Sequence, residues 1–169
     1  MLVQDDSGSV EGADAYIEVT ALDTYWASRG VTLAGTTQAK EAAIVNATDY
    51  LDSRYTYKGQ RRTTEQRTKW PRLDVTDADG LDVYGIPDTI KDACAELARK
   101  ALSAEIYPDP TYDASGSRVA ARREQVGPIS RDITFAAQGA YQGGPIYAKV
   151  TAMLRSRGLL IVGGELVRG

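Results

Sequence analysis

The residues best suited to chemistry lie between Arg54 and Arg72, where cations and aromatic rings are interleaved. Seven basic residues occur there against a single acid, Glu65. The basic residues are Arg54, Lys58, Arg61, Arg62, Arg67, Lys69 and Arg72, and the rings are Tyr55, Tyr57 and Trp70. Cations that follow phosphates and rings that stack on bases are the combination that binds single-stranded nucleic acid. On this reading, Tyr57, Lys58 and Trp70 are the candidate DNA contacts.

The next stretch, Leu73 to Asp92, carries the opposite charge, with six aspartates against Lys91 alone. The whole chain is only slightly acidic, with a net charge of −3 and a pI near 5.0, which argues against a general nucleic-acid coat. Sorted charge favours a head-to-tail contact in which the basic block of one subunit meets the acidic block of the next. The candidate interface residues are Arg61, Arg62, Arg67, Arg72, Asp77, Asp79 and Asp82. The third reading is an ordinary solvated surface, with Trp70-Pro71 packed onto the core and the arginines paired with acidic residues.

Catalytic and metal chemistry are disfavoured by composition. The chain has no histidine, which excludes Ser-His-Asp and Cys-His arrangements and any zinc site that uses histidine. Cys94 is the single cysteine, and its place on an apolar helix face indicates a buried structural thiol. An EF-hand alignment on Gly80 places Val75 and Ile86 at the first and last ligand positions, where neither can serve as a carboxylate ligand. We therefore expect a protein that is not an enzyme, without cofactor or metal.

Two longer helices are predicted to form the core. The first runs from Pro87 to Tyr107, because proline suits the first helical position and Pro108 stops the helix. The second begins at Thr36 or Thr37 and reaches about Tyr55. Both have alanine-rich inner faces, so we expect them to pack closely together. Shorter helices are predicted after Thr20, ending at Gly30, and from Pro145 to Gly158.

The remaining segments are predicted to be a minor hairpin and extended arms. Leu73–Val75 and Leu81–Tyr84 flank Asp79-Gly80, which favours a hairpin turn. We expect an N-terminal arm over residues 1–18 and a helical domain over 19–158. Within it we expect a long excursion over 107–128 and a short strand over 129–135. The apolar tail at 159–169 is either a core strand or a segment that adds to another subunit. The fold class is thus mainly α, a small helical bundle with a minor β-hairpin and extended arms.

No apolar run approaches the roughly eighteen residues that a membrane span needs, so no membrane partner is expected. The first residues also lack the basic and then apolar pattern of a signal peptide.

The order of several short motifs resembles a family of tailed-bacteriophage proteins. The matching pieces are Gly12-Ala13-Asp14-Ala15-Tyr16, Lys40-Glu41-Ala42-Ala43, Tyr57-Lys58-Gly59, Trp70-Pro71-Arg72, Ile86-Pro87 and Glu124-Gln125-Val126-Gly127-Pro128-Ile129. They cover roughly residues 10–135. The family is commonly labelled as DnaT-like single-stranded-DNA-binding proteins, and its members look like the head–tail connector adaptors of long-tailed phages.

The adaptor resemblance implies a structural virion protein that forms a ring of about twelve subunits beneath the phage portal and extends the DNA channel. Its partners would be other copies of itself, the portal protein and the next neck, stopper or tail protein, with DNA only passing through. It would reside at the head–tail junction of the virion, and in the host cytoplasm during assembly. Family adaptors grip the portal with a C-terminal segment, which makes Leu159, Leu160, Ile161, Val162 and Leu166 the portal-binding candidates.

The DnaT-like label implies a different function, a single-stranded-DNA-binding accessory protein in replication. The acidic balance of the chain favours the connector, since a channel that passes DNA should not hold it.

Overall fold

Two packed helices form the centre of the computed structural model, which describes residues 1–108, 119–125, 130–135 and 145–161. These ranges contain four α-helices: α1 (Val19–Ala27), α2 (Thr37–Arg54), α3 (Asp88–Ala101) and α4 (Ala148–Ser156). The strands are β1 (Gln60–Arg61), β2 (Arg72–Leu73), β3 (Val119–Gln125) and β4 (Ser130–Phe135). The chain divides into two compact units, one made of residues 1–106 and 147–169 and the other of residues 107–146. The predicted class, mainly α with a minor hairpin, is confirmed.

Helices α2 and α3 pack against each other through small side chains, as predicted. The Thr36 hydroxyl caps α2 by accepting a hydrogen bond from the Ala39 N–H at 3.2 Å. Ala47 and Ala93 are fully buried, and the small methyl groups let the two backbones approach. Cys94 is buried at this contact, 3.6 Å from the Thr48 hydroxyl, and burial raises the pKa of its thiol to about 12. The cysteine is therefore protonated at neutral pH and is a structural residue of the core.

Helix α3 is shorter than predicted and buries one charged residue. It ends at Ala101 rather than at Tyr107, since the chain turns so that Ile106 enters the core. Glu96 is only 5% exposed. Its carboxylate pairs with Lys149 of α4 and accepts a hydrogen bond from the Tyr25 hydroxyl at 2.8 Å. Two partners from other helices thus compensate for its burial, which periodicity along one helix cannot foresee.

The first unit contains two short hairpins that follow one another in sequence. In the first, β1 pairs antiparallel with β2, and we call residues 58–73 the basic hairpin. The second is the predicted turn at Asp79-Gly80, held by a bridge between Thr76 and Asp82. We call residues 75–84 the acidic hairpin. Leu73 belongs to β2 rather than to this second hairpin, a pairing that the sequence analysis did not foresee.

Both ends of the first unit contribute to its core. Ala13, Ala15 and Tyr16 of the predicted N-terminal arm are buried, and Val3 bridges to Ala15, so this part of the arm belongs to the core. The described part of the C-terminal segment packs in the same way, since Leu159 is fully buried. These segments supply apolar surface that a helix pair of alanines alone would lack.

The second unit, residues 107–146, contains an antiparallel strand pair. Strand β3 pairs with β4 from Val119 opposite Phe135 to Gln125 opposite Ser130. The predicted strand over 129–135 is confirmed by β4. The predicted excursion over 107–128 contains β3, which has no apolar period because backbone hydrogen bonds between two strands do not require one. The remainder of that excursion beyond Pro108 lies outside the described residues.

Candidate nucleic-acid interface

A glycine fixes the backbone at the start of the basic hairpin. Gly59 has a φ of +68°, and a Cβ atom there would lie 2.0 Å from the Leu73 carbonyl oxygen. Only glycine combines this left-handed conformation with so close an approach of the opposite strand. The tight crossing brings Arg61 opposite Arg72 and gathers six of the seven cations of the segment in the basic hairpin, while Arg54 ends α2.

The aromatic rings of the basic segment are core residues. Tyr57 is 2% exposed and Trp70 is fully buried, with their ring centroids 5.6 Å apart in an edge-to-face contact. Tyr55 is also buried. The rings fill the space between the hairpin and the helices, so base stacking on Tyr57 or Trp70 is unavailable in this fold. This corrects the expectation that both rings contact DNA.

A half-buried carboxylate on α2 anchors the hairpin. Asp52 accepts hydrogen bonds from the Tyr16 hydroxyl at 2.5 Å and from the Lys69 N–H at 2.8 Å. The same Tyr16 oxygen accepts the Trp70 N–H at 3.2 Å. Burial raises the pKa of Asp52 to about 6, against the lowering effect of these hydrogen bonds. Burial likewise raises the pKa of Tyr16 well above its ordinary value.

Three of the seven cations hold backbone carbonyls. Arg72 donates to the carbonyl oxygens of Lys58 at 2.6 Å, of Gly59 at 2.5 Å and of Lys69 at 3.1 Å, and partial burial lowers its pKa. Arg61 donates to the Gln66 oxygen at 2.9 Å, and the Lys69 ammonium donates to the Tyr55 oxygen at 2.9 Å. These side chains stabilise the loop that carries them.

Two further cations, Arg62 and Arg67, are exposed, and neither side chain has a hydrogen bond or ion pair within the residues that the structure describes. The side chain of Lys58 is half-buried and likewise has no such partner there. The solvent-facing positive charge of the hairpin therefore rests on Lys58, Arg62 and Arg67, with Arg61 beside them. These are the residues that the structure leaves for phosphates or for an acidic surface.

The aspartates of the acidic hairpin also divide into internal and exposed residues. The Asp77 carboxylate is buried, accepts the N–H groups of Asp79 and Leu81 at 2.9 and 3.0 Å, and pairs with Arg157 at 3.1 Å. These N–H groups, led by that of Leu81, lower its pKa. Asp77 is thus a turn-stabilising residue of its own chain, whereas Asp79 and Asp82 are exposed.

The structure divides the predicted portal-binding residues into three groups. Leu159 and Leu160 are buried. The chain there pairs with the start of the basic hairpin: the Lys58 N–H donates to the Leu159 oxygen at 3.0 Å, and a bridge joins Tyr57 to Leu160. Ile161 is 55% exposed. Val162 and Leu166 lie outside the described residues. Of the two alternatives for this tail, the core segment fits Leu159 and Leu160.

A second group of cations and rings was not singled out from the sequence. A partly open cavity of about 540 Å³ lies between α1, the end of α3 and the start of α4. Its lining includes Trp26, Glu96, Arg99, Lys100, Ser103 and Tyr147. The members are up to 121 positions apart, and Arg99 and Lys100 resemble ordinary outer-face residues, so no local pattern could have found them.

A comparison with protein families assigns the chain to a family. A family model described as "Putative DnaT-like ssDNA binding protein" matches residues 1–167. The chain belongs to this family. No curated protein and no solved structure matches it. Within the described ranges, no helix is long and apolar enough to cross a membrane.

Proposed function

We propose that this protein binds single-stranded DNA through its phosphates, using the exposed cations of the basic hairpin. The observation that carries the proposal is the exposure of Arg62 and Arg67, which have no partner within the described residues, on a hairpin whose Arg61, Lys69 and Arg72 donate to backbone carbonyls. The description of the family supports the same ligand. Lys58 extends this surface toward the start of the hairpin.

The expected binding mode is electrostatic and tolerant of sequence. Because Tyr57 and Trp70 are buried, phosphate contacts supply the affinity at this hairpin, and such contacts do not distinguish bases. A few contacts on a chain of net charge −3 should give moderate affinity that falls steeply with salt. The exposed Asp79 and Asp82 repel phosphate, which keeps DNA away from the acidic hairpin.

The test is a titration of labelled oligo-dT followed by fluorescence anisotropy over a series of salt concentrations. Each phosphate contact on a single strand contributes about −0.7 to the slope of log K against log salt. Arg62→Gln/Arg67→Gln should therefore reduce that slope by about 1.4 and weaken binding.

The matched control is Lys91→Gln/Arg155→Gln, which removes the same charge from α3 and α4. Arg155 is exposed, and the ionic contact of Lys91 is a 3.8 Å approach to exposed Asp6. This control should keep the wild-type slope. Equal slopes for the two double variants would contradict a hairpin-specific site.

A second function, the ring-forming connector adaptor, is favoured by the acidic hairpin. Leu81 and Tyr84 are 64% and 80% exposed there, beside the exposed Asp79 and Asp82. An apolar patch bordered by acids would suit a basic, partly apolar surface such as the basic hairpin of a second copy. Head-to-tail contacts of this type close into a ring when the rotation between neighbouring copies closes. In this alternative the ring would dock beneath the phage portal at the head–tail junction and pass DNA through its channel.

The connector alternative is tested by mass, measured by native mass spectrometry for the protein alone and mixed with its portal. A monomer that forms a defined ring on the portal would support the adaptor. Arg62→Glu/Arg67→Glu should then block assembly without unfolding the monomer, because neither side chain has a partner within the described residues. Assembly by this variant would reject the charge contact, and absence of portal binding together with salt-sensitive DNA binding would favour the first proposal.

A further inference from the structure

We propose that the cavity between α1, α3 and α4 binds one nucleotide of single-stranded DNA, with its phosphate at Arg99 and Lys100 and its base against the Arg99 and Tyr147 planes. The inference rests on the proposed function and adds a second contact, separate in sequence from the basic hairpin. It also restores a stacking role that the burial of Tyr57 and Trp70 removes from the hairpin.

The charge of the cavity favours an anion. Arg99 and Lys100 are both exposed at its edge. Its acid, Glu96, already pairs with the Lys149 ammonium and accepts the Tyr25 hydroxyl at 2.8 Å. The carboxylate is thereby compensated from within the protein, so that Arg99 and Lys100 determine which ligand charge is attracted.

The rings of the cavity hold its cations in place. The guanidinium carbon of Arg99 lies 4.3 Å from the centre of the Trp26 ring, and the Lys100 nitrogen lies 5.2 Å from that of Tyr147. Trp26 is fixed in turn by its indole N–H, which donates to the Ala95 oxygen at 3.0 Å. Bases stack on arginine planes as well as on aromatic rings. An arginine layered on a fixed tryptophan is a pre-ordered platform, which lowers the entropic cost of binding.

The opposite wall is equally fixed. Tyr147 donates its hydroxyl to the Ile106 oxygen at 3.1 Å, and its ring centre lies 5.2 Å from that of Tyr50. The cavity volume of about 540 Å³ is within the range of small-ligand sites, which suits a single nucleotide. Ser103, at the end of α3, adds a hydroxyl to this lining.

The experiment measures Trp26 fluorescence of the full chain during titration with dTMP, and anisotropy with labelled oligo-dT in parallel. The dTMP should quench tryptophan emission, and Trp26→Phe should abolish the quenching because Trp26 lines the cavity and Trp70 does not. Arg99→Gln should weaken dTMP binding by about tenfold and lower the oligonucleotide salt slope by about 0.7. Tyr147→Leu should weaken dTMP binding by a similar factor.

Two further variants separate ligand contact from damage to packing. Lys100→Gln removes a surface cation without touching the Trp26 ring, and it should also weaken dTMP binding severalfold. Arg155→Gln is the matched control, an exposed arginine of α4 outside the cavity, and should stay within twofold of wild type.

The outcomes distinguish this inference from the proposed function. If oligonucleotide binding depends on Arg62 and Arg67, while Arg99→Gln and Lys100→Gln behave like Arg155→Gln, the cavity proposal is overturned and the hairpin proposal is kept. If dTMP quenching requires Arg99, while oligonucleotide binding is unchanged by substitution of Arg62 and Arg67, the cavity proposal is supported and the hairpin proposal is rejected. No response to either probe would overturn both.

Discussion

The basic and acidic hairpins follow one another in the chain, yet they use their charged residues differently. In the basic hairpin, Arg61, Lys69 and Arg72 donate to backbone carbonyls and form part of the structure. In the acidic hairpin, Asp77 alone turns inward and the tip is exposed. A hairpin with little regular pairing must satisfy its backbone groups with side chains, so part of any charge run is consumed internally. Only the remaining charges are available to a ligand.

The aspartates that anchor the two hairpins also respond oppositely to protonation. Asp52, beneath the basic hairpin, has a raised pKa because burial outweighs its hydrogen bonds. Asp77, within the acidic hairpin, has a lowered pKa because the Leu81 and Asp79 N–H groups favour the charged form. The hydrogen-bond donors account for this difference. Backbone N–H groups of its own turn stabilise the charged form of Asp77, whereas the donors to Asp52 do not fully compensate for the desolvation of its carboxylate.

The largest expected difference between the hairpins concerns their aromatic residues. Trp70→Ala should lower the free energy of unfolding by about 3–5 kcal/mol, because it leaves a large cavity in the core. Tyr84→Ala, at a residue that is 80% exposed, should change it by less than about 0.5 kcal/mol. Urea unfolding measures both values. A cost for Trp70→Ala as small as that for Tyr84→Ala would contradict the buried position of the ring.

Each hairpin contains a glycine in the left-handed conformation, Gly59 in the basic hairpin and Gly80 in the acidic hairpin, and these two provide the second comparison. Gly59→Ala should cost about 3 kcal/mol or more, since the new methyl group would meet the Leu73 carbonyl in addition to the backbone strain. Gly80→Ala, at φ +80° with open space around the site, should cost only the strain of about 1 kcal/mol. Thermal and urea unfolding of both variants give the difference. Equal losses would mean that the close approach in the basic hairpin relaxes at no cost.

The helices could be predicted from sequence because their signals are local. The Thr36 cap, the alanine face of α2 and the apolar period of α3 each lie within a few turns of chain. The sequence left the burial of Trp70 as one alternative and did not indicate the burial of Glu96, because the environments of both residues come from Tyr57, Tyr25 and Lys149. An arginine that binds a phosphate and one that holds a carbonyl look identical in sequence, which is why Arg72 was grouped with Arg62.

The pH dependence of stability should show the third difference, through Asp52. Its folded pKa of about 6 exceeds the ordinary 3.8, so the folded state binds the proton more tightly. Stability from this group is therefore fully present below about pH 4 and decreases as the pH rises to about 6, by up to about 3 kcal/mol. Urea unfolding across this range measures the slope, and Asp52→Asn should flatten it. An unchanged slope in that variant would assign the effect to other groups.

Asp77 should give the opposite sign at lower pH. Its folded pKa lies below the ordinary value, so its stabilising contribution is present above about pH 4 and is lost as the pH falls further. Asp77→Asn should be less stable than wild type at pH 7 and should lose less on acidification, as unfolding measurements at pH 7 and below pH 4 would show. A larger acid loss in the variant would contradict the role of the turn N–H groups.

The smallest expected effect separates the structural cations from the solvent-facing ones within the basic hairpin. Arg72→Lys keeps the charge but replaces a planar fork, which reaches the Lys58, Gly59 and Lys69 carbonyls, with a single ammonium. It should cost about 1–2 kcal/mol in urea unfolding, since lost hydrogen bonds from a charged donor leave carbonyls unsatisfied. Arg62→Lys, at an exposed site, should be neutral within about 0.5 kcal/mol and should keep the oligonucleotide affinity. If Arg72→Lys instead left stability unchanged but weakened DNA binding, Arg72 would belong with Arg62 and Arg67 as a phosphate contact, and the division between internal and available charge would have to be redrawn.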